Sequence, residues 1–140
     1  MRSGFLLCLT VLMAGVIGTA VAAEGVTTLR MIDQQIGTAA VARDGSEVVV
    51  NYNGWLYDED APDHHGTKVD SSVDRGQPIS FTLGEGKVIA GWDKGIKGMR
   101  VGGRRTLLIP ARLAYGSRRA GKLVPPNAAL VFDIALLAVH

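Results

Sequence analysis

The sequence predicts an α+β domain in which one face of an antiparallel sheet packs against a single short helix. Three observations predict this fold class. Several segments alternate apolar and polar residues with the period of two that a half-buried strand shows. One segment places its apolar residues in a single helical stripe. The chain has 140 residues, of which 47% are hydrophobic and 20% charged, so a packed domain is expected rather than a disordered chain.

The first residues have the pattern of a secretory signal peptide. Arg2 precedes an apolar run over residues 4–21, which ends in small residues suited to cleavage. We assign residues 1–22 to a signal peptide cleaved after Ala22 or Ala23, and we expect a periplasmic or secreted protein. An uncleaved membrane anchor is the alternative, because about 18 apolar residues are close to the lower limit for a membrane span.

The predicted strands follow one another from residue 26. An extended segment over 26–36 supplies the first strand of an N-terminal extension, 23–44, and Asp44-Gly45 is a turn signal. Further extended segments are predicted over residues 47–57, 68–71, 79–83, 104–109 and 130–139. In the two longest of these, alternate residues share an apolar face: Val48, Val50 and Tyr52, and then Leu130, Phe132, Ile134 and Leu136.

The helix is predicted to begin near Lys87 and to end at Gly98, since its apolar stripe consists of Val88, Ile89, Trp92 and Ile96. A turn is predicted over residues 74–78, and an exposed acidic loop over 58–66. The long connection between Pro110 and Ala129 contains a tyrosine, three aliphatic residues and two prolines. Long loops in compact domains are usually functional or disordered, and this composition favours an ordered wall of a binding site.

Most catalytic chemistries lack their residues in this chain. The histidines are His140 at the terminus and the adjacent pair His64 and His65 in the acidic loop, so no nucleophilic triad is predicted. Adjacent histidines rarely bind one metal ion, and Gly84-Glu85-Gly86 does not continue into a dinucleotide or phosphate loop. The single cysteine, Cys8, lies in the predicted signal peptide, so no disulfide is expected. We therefore expect neither a metal nor a cofactor.

The charge is small overall, +2, but it is unevenly distributed. Residues 24–74 carry three basic and ten acidic side chains, whereas residues 75–140 carry eleven basic and three acidic ones. We expect the two halves to attract each other when they pack. The pairs Arg104-Arg105 and Arg118-Arg119 have no interleaved aromatic residues, so nucleic acid is not an expected partner. The net charge does not indicate a membrane partner after cleavage either.

Five aromatic residues are distributed over three predicted strands, the helix and the long loop: Tyr52, Phe81, Trp92, Tyr115 and Phe132. Aromatic residues most often fill cores, so an ordinary core is one interpretation. A buried tyrosine needs a partner for its hydroxyl, which favours a cleft for the two tyrosines. The pattern alone leaves both interpretations open.

Six short motifs occur in a consistent order and spacing: Val50-Asn51-Tyr52-Asn53-Gly54, Val69-Asp70-Ser71-Ser72, Val88-Ile89-Ala90-Gly91-Trp92, Ala114-Tyr115-Gly116, Pro125-Pro126 and Leu130-Val131-Phe132-Asp133. Through them residues 45–140 resemble the FKBP family, the peptidyl-prolyl cis-trans isomerases that bind tacrolimus and rapamycin. The resemblance implies an isomerase domain built as a five-stranded antiparallel half-barrel sheet wrapped around one short helix. It also implies a shallow hydrophobic cleft between the sheet and the helix.

The resemblance implies two sets of site residues. The catalytic set is Tyr52, Asp70, Ile89, Trp92, Tyr115 and Phe132. In it, Trp92 forms the floor beneath the proline ring, and the Tyr115 hydroxyl and the Ile89 N–H donate to substrate carbonyls. Asp70 lies at the rim, where it holds Tyr52 or pairs with Arg75. The substrate-binding set is Val69, Ile79, Val88, Leu123 and Val124.

The implied function is to accelerate X-Pro isomerisation while exported proteins fold. The implied partners are proline-containing polypeptides and tacrolimus- or rapamycin-like macrolides. The segment before residue 45 is short for a helical dimerisation arm, so a monomer is expected. Three positions depart from the family pattern: Val69 and Ile79 replace phenylalanines, and Ala120 replaces a histidine of some members. A cleft with less aromatic surface binds more weakly, so the alternative function is a proline-peptide-binding module or holdase chaperone with little catalysis.

Overall fold

The computed structural model describes residues 25–140, so the predicted signal peptide, 1–22, lies outside the described residues. The elements in chain order are β1 (Arg30–Gln35), β2 (Glu47–Tyr57), β3 (His65–Ser71), α1 (Ser72–Arg75), β4 (Ile79–Thr82), α2 (Ala90–Gly95), β5 (Arg104–Ile109) and β6 (Leu130–Val139). Two 3₁₀ turns lie at Pro62–His64 and Ala111–Leu113. Across residues 25–140, no helix has the length and apolar character that a membrane span needs.

The strands form one open antiparallel sheet in the order β1-β5-β6-β2-β3, and β4 also pairs with β2. The 11-residue β2 is long enough to hold both short strands along one edge. Its residues 47–50 pair with β4, and its residues from Asn53 onwards pair with β3. The predicted α+β class is therefore confirmed. The sheet has six strands, one more than the family resemblance implies, and they correspond to the six extended segments that the sequence pattern predicts. Helix α1 and the left-handed Gly76 separate β3 from β4.

The core lies between the sheet and α2. Val48, Val50 and Tyr52 are buried, as are alternate residues of β6 from Leu130 to Leu136, which confirms the predicted apolar faces. Trp92 and Ile96 complete the core from the helix side. The core is therefore formed mainly by strands whose alternation of apolar and polar residues is visible in the sequence.

The predicted helix is present but shorter than its apolar stripe. Ile89 has extended backbone angles and precedes α2, so Val88 and Ile89 lie beside the helix and not on it. The loop before the helix is tied to it by Asp93, whose carboxylate accepts hydrogen bonds from Gly84 N at 2.9 Å and Gly86 N at 3.0 Å. These bonds hold the loop against the first turn of α2.

The sequence pattern does not predict α1, which occupies the beginning of the predicted turn over 74–78. Ser71 caps this single helical turn by accepting a hydrogen bond from Asp74 N at 2.9 Å. Gly76 ends it with a left-handed backbone (φ 73°), a conformation that glycine adopts without steric cost. The spacing Ser71-x-x-Asp74 matches the capping pattern that marks the beginning of a helix, and it is the sequence signal for this turn.

Candidate functional site

A cavity of about 200 Å³ opens between the sheet and the segment that leads into α2. Strands β2, β3, β4 and β6, helix α2 and the β5–β6 loop all contribute to its lining. The lining residues are Tyr52, Asp70, Ile79, Lys87, Val88, Ile89, Trp92, Tyr115 and Phe132. The structure therefore brings together all six residues of the predicted catalytic set and two of the predicted substrate-binding set.

Three rings enclose Trp92, which is only 4% exposed. The ring centroids lie 4.8 Å from Trp92 to Tyr52, 5.2 Å to Phe132 and 5.8 Å to Phe81. The contacts with Tyr52 and Phe132 are edge-to-face, an arrangement that stabilises aromatic pairs by roughly 0.5–1.5 kcal/mol beyond the burial of area. The cavity consequently has a rigid apolar floor.

The indole Nε1 of Trp92 is buried and donates no hydrogen bond within residues 25–140. A buried donor without a partner is destabilising, and most buried polar groups in proteins are satisfied. This donor lies in the side chain that lines the cavity. The floor therefore presents aromatic surface, and this polar atom lies buried beneath it.

A hydrogen-bonded network at the rim joins Tyr52, Asp70 and Arg75. The Tyr52 hydroxyl donates to Asp70 Oδ2 at 2.6 Å, and Arg75 Nη2 donates to the Tyr52 hydroxyl at 3.0 Å. Arg75 Nη1 also pairs with Asp70 Oδ1. Asp70 thus both holds Tyr52 and pairs with Arg75, two contacts that the resemblance implied as alternatives.

The network shifts the titration of its members. Burial and the hydrogen bond to Asp70 raise the pKa of Tyr52. For Asp70, burial alone would raise the pKa, but hydrogen bonds from Tyr52 and Arg75 outweigh it and lower the pKa. At neutral pH the rim therefore holds a carboxylate, a neutral phenol and a guanidinium.

Two serines that sequence reasoning did not select position this rim. Tyr52 N donates to Ser72 Oγ at 2.8 Å, and Ser72 Oγ donates to Asn51 Oδ1 at 2.8 Å. Ser71 Oγ is hydrogen-bonded to the Asn53 side chain. Both serines are buried, so they fasten the end of β3 to β2 on either side of Tyr52.

The two donors that the family resemblance implies for substrate carbonyls make no hydrogen bond to other groups in residues 25–140. One is the hydroxyl of Tyr115, a residue that is 40% exposed and whose pKa is raised by burial and by the charge of Asp70. The other is the backbone N–H of Ile89, which stands before the first turn of α2. Both are available to carbonyl oxygens of a bound peptide.

Three residues of the predicted substrate-binding set are not in the cavity lining. Val69 is half-buried and packs against the core. Val124 belongs to the core itself and is 6% exposed, whereas Leu123 is 50% exposed at the tip of the loop. Lys87 is in the lining although the sequence does not single it out, because nothing in a lone lysine before a helix indicates a site.

A larger cavity, about 430 Å³, lies over the opposite face of the sheet. Polar side chains of alternate strand positions dominate its lining, among them Asn51, Asn53, Arg104, Thr106 and Asp133. Thr106 donates to Asp133 at 2.7 Å, so part of this polar surface is already satisfied internally. The smaller cavity is the better candidate, since it combines a buried aromatic floor with free donors.

No group of three histidine, cysteine or acidic side chains within residues 25–140 is arranged to hold a metal ion. The arrangement around the small cavity suits an apolar ring on the floor and peptide carbonyls at the edge. It contains no activated nucleophile and no pair of carboxylates. Binding and positioning, not bond making, are the chemistry that this geometry supports.

Comparison with known proteins agrees with this assignment of the fold. Residues 39–137 match the profile of the family described as FKBP-type peptidyl-prolyl cis-trans isomerase. The FK506-binding protein of Neisseria meningitidis serogroup A is 48% identical over 108 residues, which are 77% of this chain and 93% of that protein. FK506-binding protein 2 of Yarrowia lipolytica is 51% identical over 98 residues, which are 70% of this chain and 63% of that protein.

Among solved structures, the crystal structure of AtFKBP13 is similar, with a TM-score of 0.70 and 38% sequence identity. The match covers 80% of this chain and 93% of that one. The family match over residues 39–137 includes all the residues that line the small cavity.

Proposed function

Because this chain belongs to the family of FKBP-type peptidyl-prolyl cis-trans isomerases, we propose that the cavity around Trp92 is its active site and that its substrates are exported polypeptides. The observation that carries the site is the buried Trp92, enclosed by Tyr52, Phe81 and Phe132, with the Tyr115 hydroxyl and the Ile89 N–H at the edge. A proline ring is apolar and of a size that fits a cavity of about 200 Å³.

The reaction requires rotation about a bond with partial double-bond character. The barrier is roughly 18–20 kcal/mol, because rotation removes the amide resonance. The twisted amide carries less charge on its oxygen than the planar amide does. An apolar cavity therefore favours the twisted form relative to the planar one, which lowers the barrier.

In the proposed mechanism the chain's own groups bind and orient the substrate. Trp92 receives the proline ring, and the Tyr115 hydroxyl and the Ile89 N–H donate to carbonyl oxygens of the flanking residues. Asp70 and Arg75 hold Tyr52, which forms part of the wall, in a single orientation. Holding the flanking chain in a turn converts binding energy into correct geometry for rotation.

The proposed cellular role follows from the signal-peptide pattern. Uncatalysed X-Pro isomerisation takes tens of seconds or longer, so it delays the folding of exported proteins. We place the mature protein in the periplasm or outside the cell, with no membrane attachment after cleavage. We also propose a monomer, since β1 of the N-terminal segment is paired with β5 of the same chain. Tacrolimus- and rapamycin-like macrolides are proposed ligands of the same cavity.

A prolyl-peptide isomerisation assay with matched tryptophan variants tests this function. Trp92→Leu removes the edge-to-face ring contacts, and we expect kcat/KM to fall about tenfold or more. Trp55→Phe is the control, because Trp55 stacks on His65 at 3.7 Å and does not line the small cavity. Equal activity in wild type and Trp92→Leu would place the active site elsewhere.

Binding is measured separately in the Trp55→Phe background, where Trp92 is the remaining tryptophan. We expect its fluorescence to change saturably with a proline-containing peptide. Saturable binding without acceleration of isomerisation would favour the alternative function, a proline-peptide-binding module or holdase chaperone. A peptide that binds saturably but leaves the fluorescence unchanged would exclude Trp92 as the floor.

A further inference from the structure

One flank of the cavity is formed by the β5–β6 loop, and this flank is strongly basic. Residues 110–129 contain four basic side chains, Arg112, Arg118, Arg119 and Lys122, and no acidic one. No acidic residue occurs anywhere between Asp93 and Asp133 in the sequence. The loop therefore carries no carboxylate of its own to offset these charges.

The loop holds its basic residues next to the cavity. Tyr115 lines the cavity, and Arg118 N donates to Tyr115 O at 3.1 Å, which closes a turn. The Cα atoms that bound such a turn are less than about 7 Å apart. Arg118 therefore stands at one end of a turn whose other end, Tyr115, lines the cavity.

The tip of the loop is also anchored. Ala120 and Val124 form an isolated antiparallel bridge, with Ala120 N donating to Val124 O at 3.1 Å and Val124 N donating to Ala120 O at 3.3 Å. Both residues pack with the core. Lys122 and Leu123 are consequently presented to solvent from a fixed hairpin beside the cavity.

The positive charges of this flank are not neutralised by the rest of the described structure. Among residues 25–140, no carboxylate lies within 4 Å of the side-chain nitrogens of Arg118, Arg119 or Lys122. The carboxylate nearest to the substrate position, Asp70, is occupied by Arg75 and Tyr52. Glu85 faces Lys87 at 3.8 Å. The flank thus presents an uncompensated positive potential to a bound chain.

We propose that this basic flank, formed by Arg118, Arg119 and Lys122, selects X-Pro segments that carry aspartate or glutamate within a few residues of the proline. The inference rests on the proposed function, because it assigns the specificity of the same cavity. The flank lies on one side of the cavity, so the preferred acidic residue lies on one side of the proline.

The expected preference is moderate, because the three side chains are exposed. Individual exposed ion pairs are weak and are screened by salt, whereas three charges of one sign act together on an approaching anion. We expect kcat/KM to be about fivefold higher for an acidic peptide than for its neutral counterpart at low ionic strength. We expect the acidic residue mainly to lower KM and to leave kcat unchanged, since its side chain does not take part in the rotation.

The test uses two sets of matched prolyl peptides. In each set Glu, Gln or Lys occupies one position within three residues of the proline, on the N-terminal side in one set and on the C-terminal side in the other. We expect the order Glu, Gln, Lys in kcat/KM in one of the two sets at about 20 mM salt, and convergence of the rates near 500 mM. Equal values in both sets at low salt would overturn the proposal.

Two triple variants locate the effect. Arg118→Gln/Arg119→Gln/Lys122→Gln should bring the Glu-to-Gln ratio close to one. The matched control, Arg30→Gln/Arg43→Gln/Lys94→Gln, removes the same charge from exposed positions that do not line the small cavity, and it should keep the wild-type ratio. A ratio that persists in the loop variant would assign the preference to other residues and overturn the proposal.

The outcome is separable from failure of the proposed function. If the Gln peptides are not isomerised faster than in buffer, the isomerase function fails, and the same Glu-to-Gln ratio is then read from Trp92 fluorescence in the Trp55→Phe background. A single-stranded oligonucleotide is the competing probe. If it binds through Arg118, Arg119 and Lys122 while the peptide ratio is one, the flank is a nucleic-acid contact and the proposal is wrong.

Discussion

At the scale of single residues, Tyr52 shows how the site combines burial with polarity. Its ring belongs to the core, and it is 6% exposed, while its hydroxyl reaches the rim. The hydroxyl is satisfied by Asp70 and Arg75, so a buried phenol does not lack a partner. Gly54 contributes on the same strand, because a Cβ at that position would overlap the Phe132 ring. The wall of the cavity therefore depends on the hydrogen-bonded network of Tyr52 and on a glycine at position 54, which leaves room for the Phe132 ring.

The first prediction concerns the pH dependence of Asp70. Its pKa is lowered in the folded protein, so its contribution to stability is present above the unfolded value and disappears as the pH falls through the folded one. Asp70→Asn keeps an acceptor for Tyr52 but removes the charge. We expect wild type to be more stable by about 1 kcal/mol, or roughly 4 °C in Tm, at pH 6–7. That difference should shrink below about pH 4.

Thermal unfolding of both proteins from pH 2.5 to 7 measures this difference. Asp74→Asn is the control, because the Asp74 carboxylate contacts only Lys68 at the surface, at 2.9 Å. A Tm difference between wild type and Asp70→Asn that stays constant down to pH 2.5 would show that the charge of Asp70 does not contribute to stability.

The second prediction contrasts two aliphatic residues that replace family phenylalanines. Ile79 lines the cavity, whereas Val69 packs against the core where the pairing of β2 with β3 is irregular. We expect Ile79→Phe to strengthen the binding of a prolyl ligand by about 0.5–1.5 kcal/mol through new ring contacts. We expect Val69→Phe to leave binding unchanged and to lower stability by about 1–3 kcal/mol through overpacking.

Fluorescence titrations and thermal unfolding of the two variants decide between these outcomes. A stable Val69→Phe protein with increased affinity would show that residue 69 contacts the ligand, as the family resemblance implies. Unchanged affinity in a folded Ile79→Phe protein would show that the wall formed by β4 does not touch the ligand.

At the scale of elements, the position of α2 on β5 determines where Trp92 lies. Gly91 and Gly95 are one helical turn apart, and they face Ile109 and Leu107, two residues apart on β5. A Cβ at Gly91 would lie 2.5 Å from Ile109 Cγ2, and one at Gly95 would lie 2.8 Å from Leu107 Cδ1. The helix therefore approaches the sheet more closely than any side chain on this face would allow.

The third prediction tests this close approach with Gly91→Ala. Alanine favours a helix by about 1 kcal/mol over glycine, but the clash with buried Ile109 outweighs this gain. We expect a net loss of about 1–2 kcal/mol in the free energy of unfolding, together with a reduced kcat/KM because Trp92 is displaced. Lys94→Ala, on the exposed side of the same helix, should change neither quantity. A Gly91→Ala protein at least as stable as wild type would contradict the packing argument.

At the scale of the whole molecule, the two oppositely charged halves of the chain attract each other only in part. Asp44 pairs with Lys97 at 3.0 Å, and Asp33 pairs with Arg105 at 2.7 Å, so acidic residues of the first half meet basic residues of the second. The Asp33 pair joins β1 to β5, where Arg105 is only 13% exposed. Among residues 25–140, the basic residues of the β5–β6 loop form no such ion pair, which supports their proposed role toward acidic substrates.

The fourth prediction concerns maturation. The apolar run and the small residues that follow it predict that exported protein begins at Ala23 or Glu24. N-terminal sequencing of protein recovered from the periplasm or the medium should find one of these residues. Retention of Met1 on membrane-bound protein would identify the segment as an anchor.

Local periodicity and motif order are enough to predict part of the fold and most of the site. Strands β2, β5 and β6 have the predicted limits, since alternation of apolar residues is a property of each strand alone. Seven of the nine cavity residues lie within the six family motifs, and the resemblance adds Ile79, so Lys87 is the one it does not name. Periodicity shows which residues are apolar and share a face, but it does not show which of them line a cavity. The family motifs point to those residues directly.

Only the tertiary structure decided how distant segments meet. The length of α2 and the existence of α1 depend on caps and on glycine conformations that the apolar pattern does not register. The positions of Val69 and Val124 outside the cavity lining, and of Lys87 within it, depend on packing between elements. Packing joins residues far apart in the chain, whereas a periodic pattern reports only on neighbours, and this is why the membership of the site required the fold.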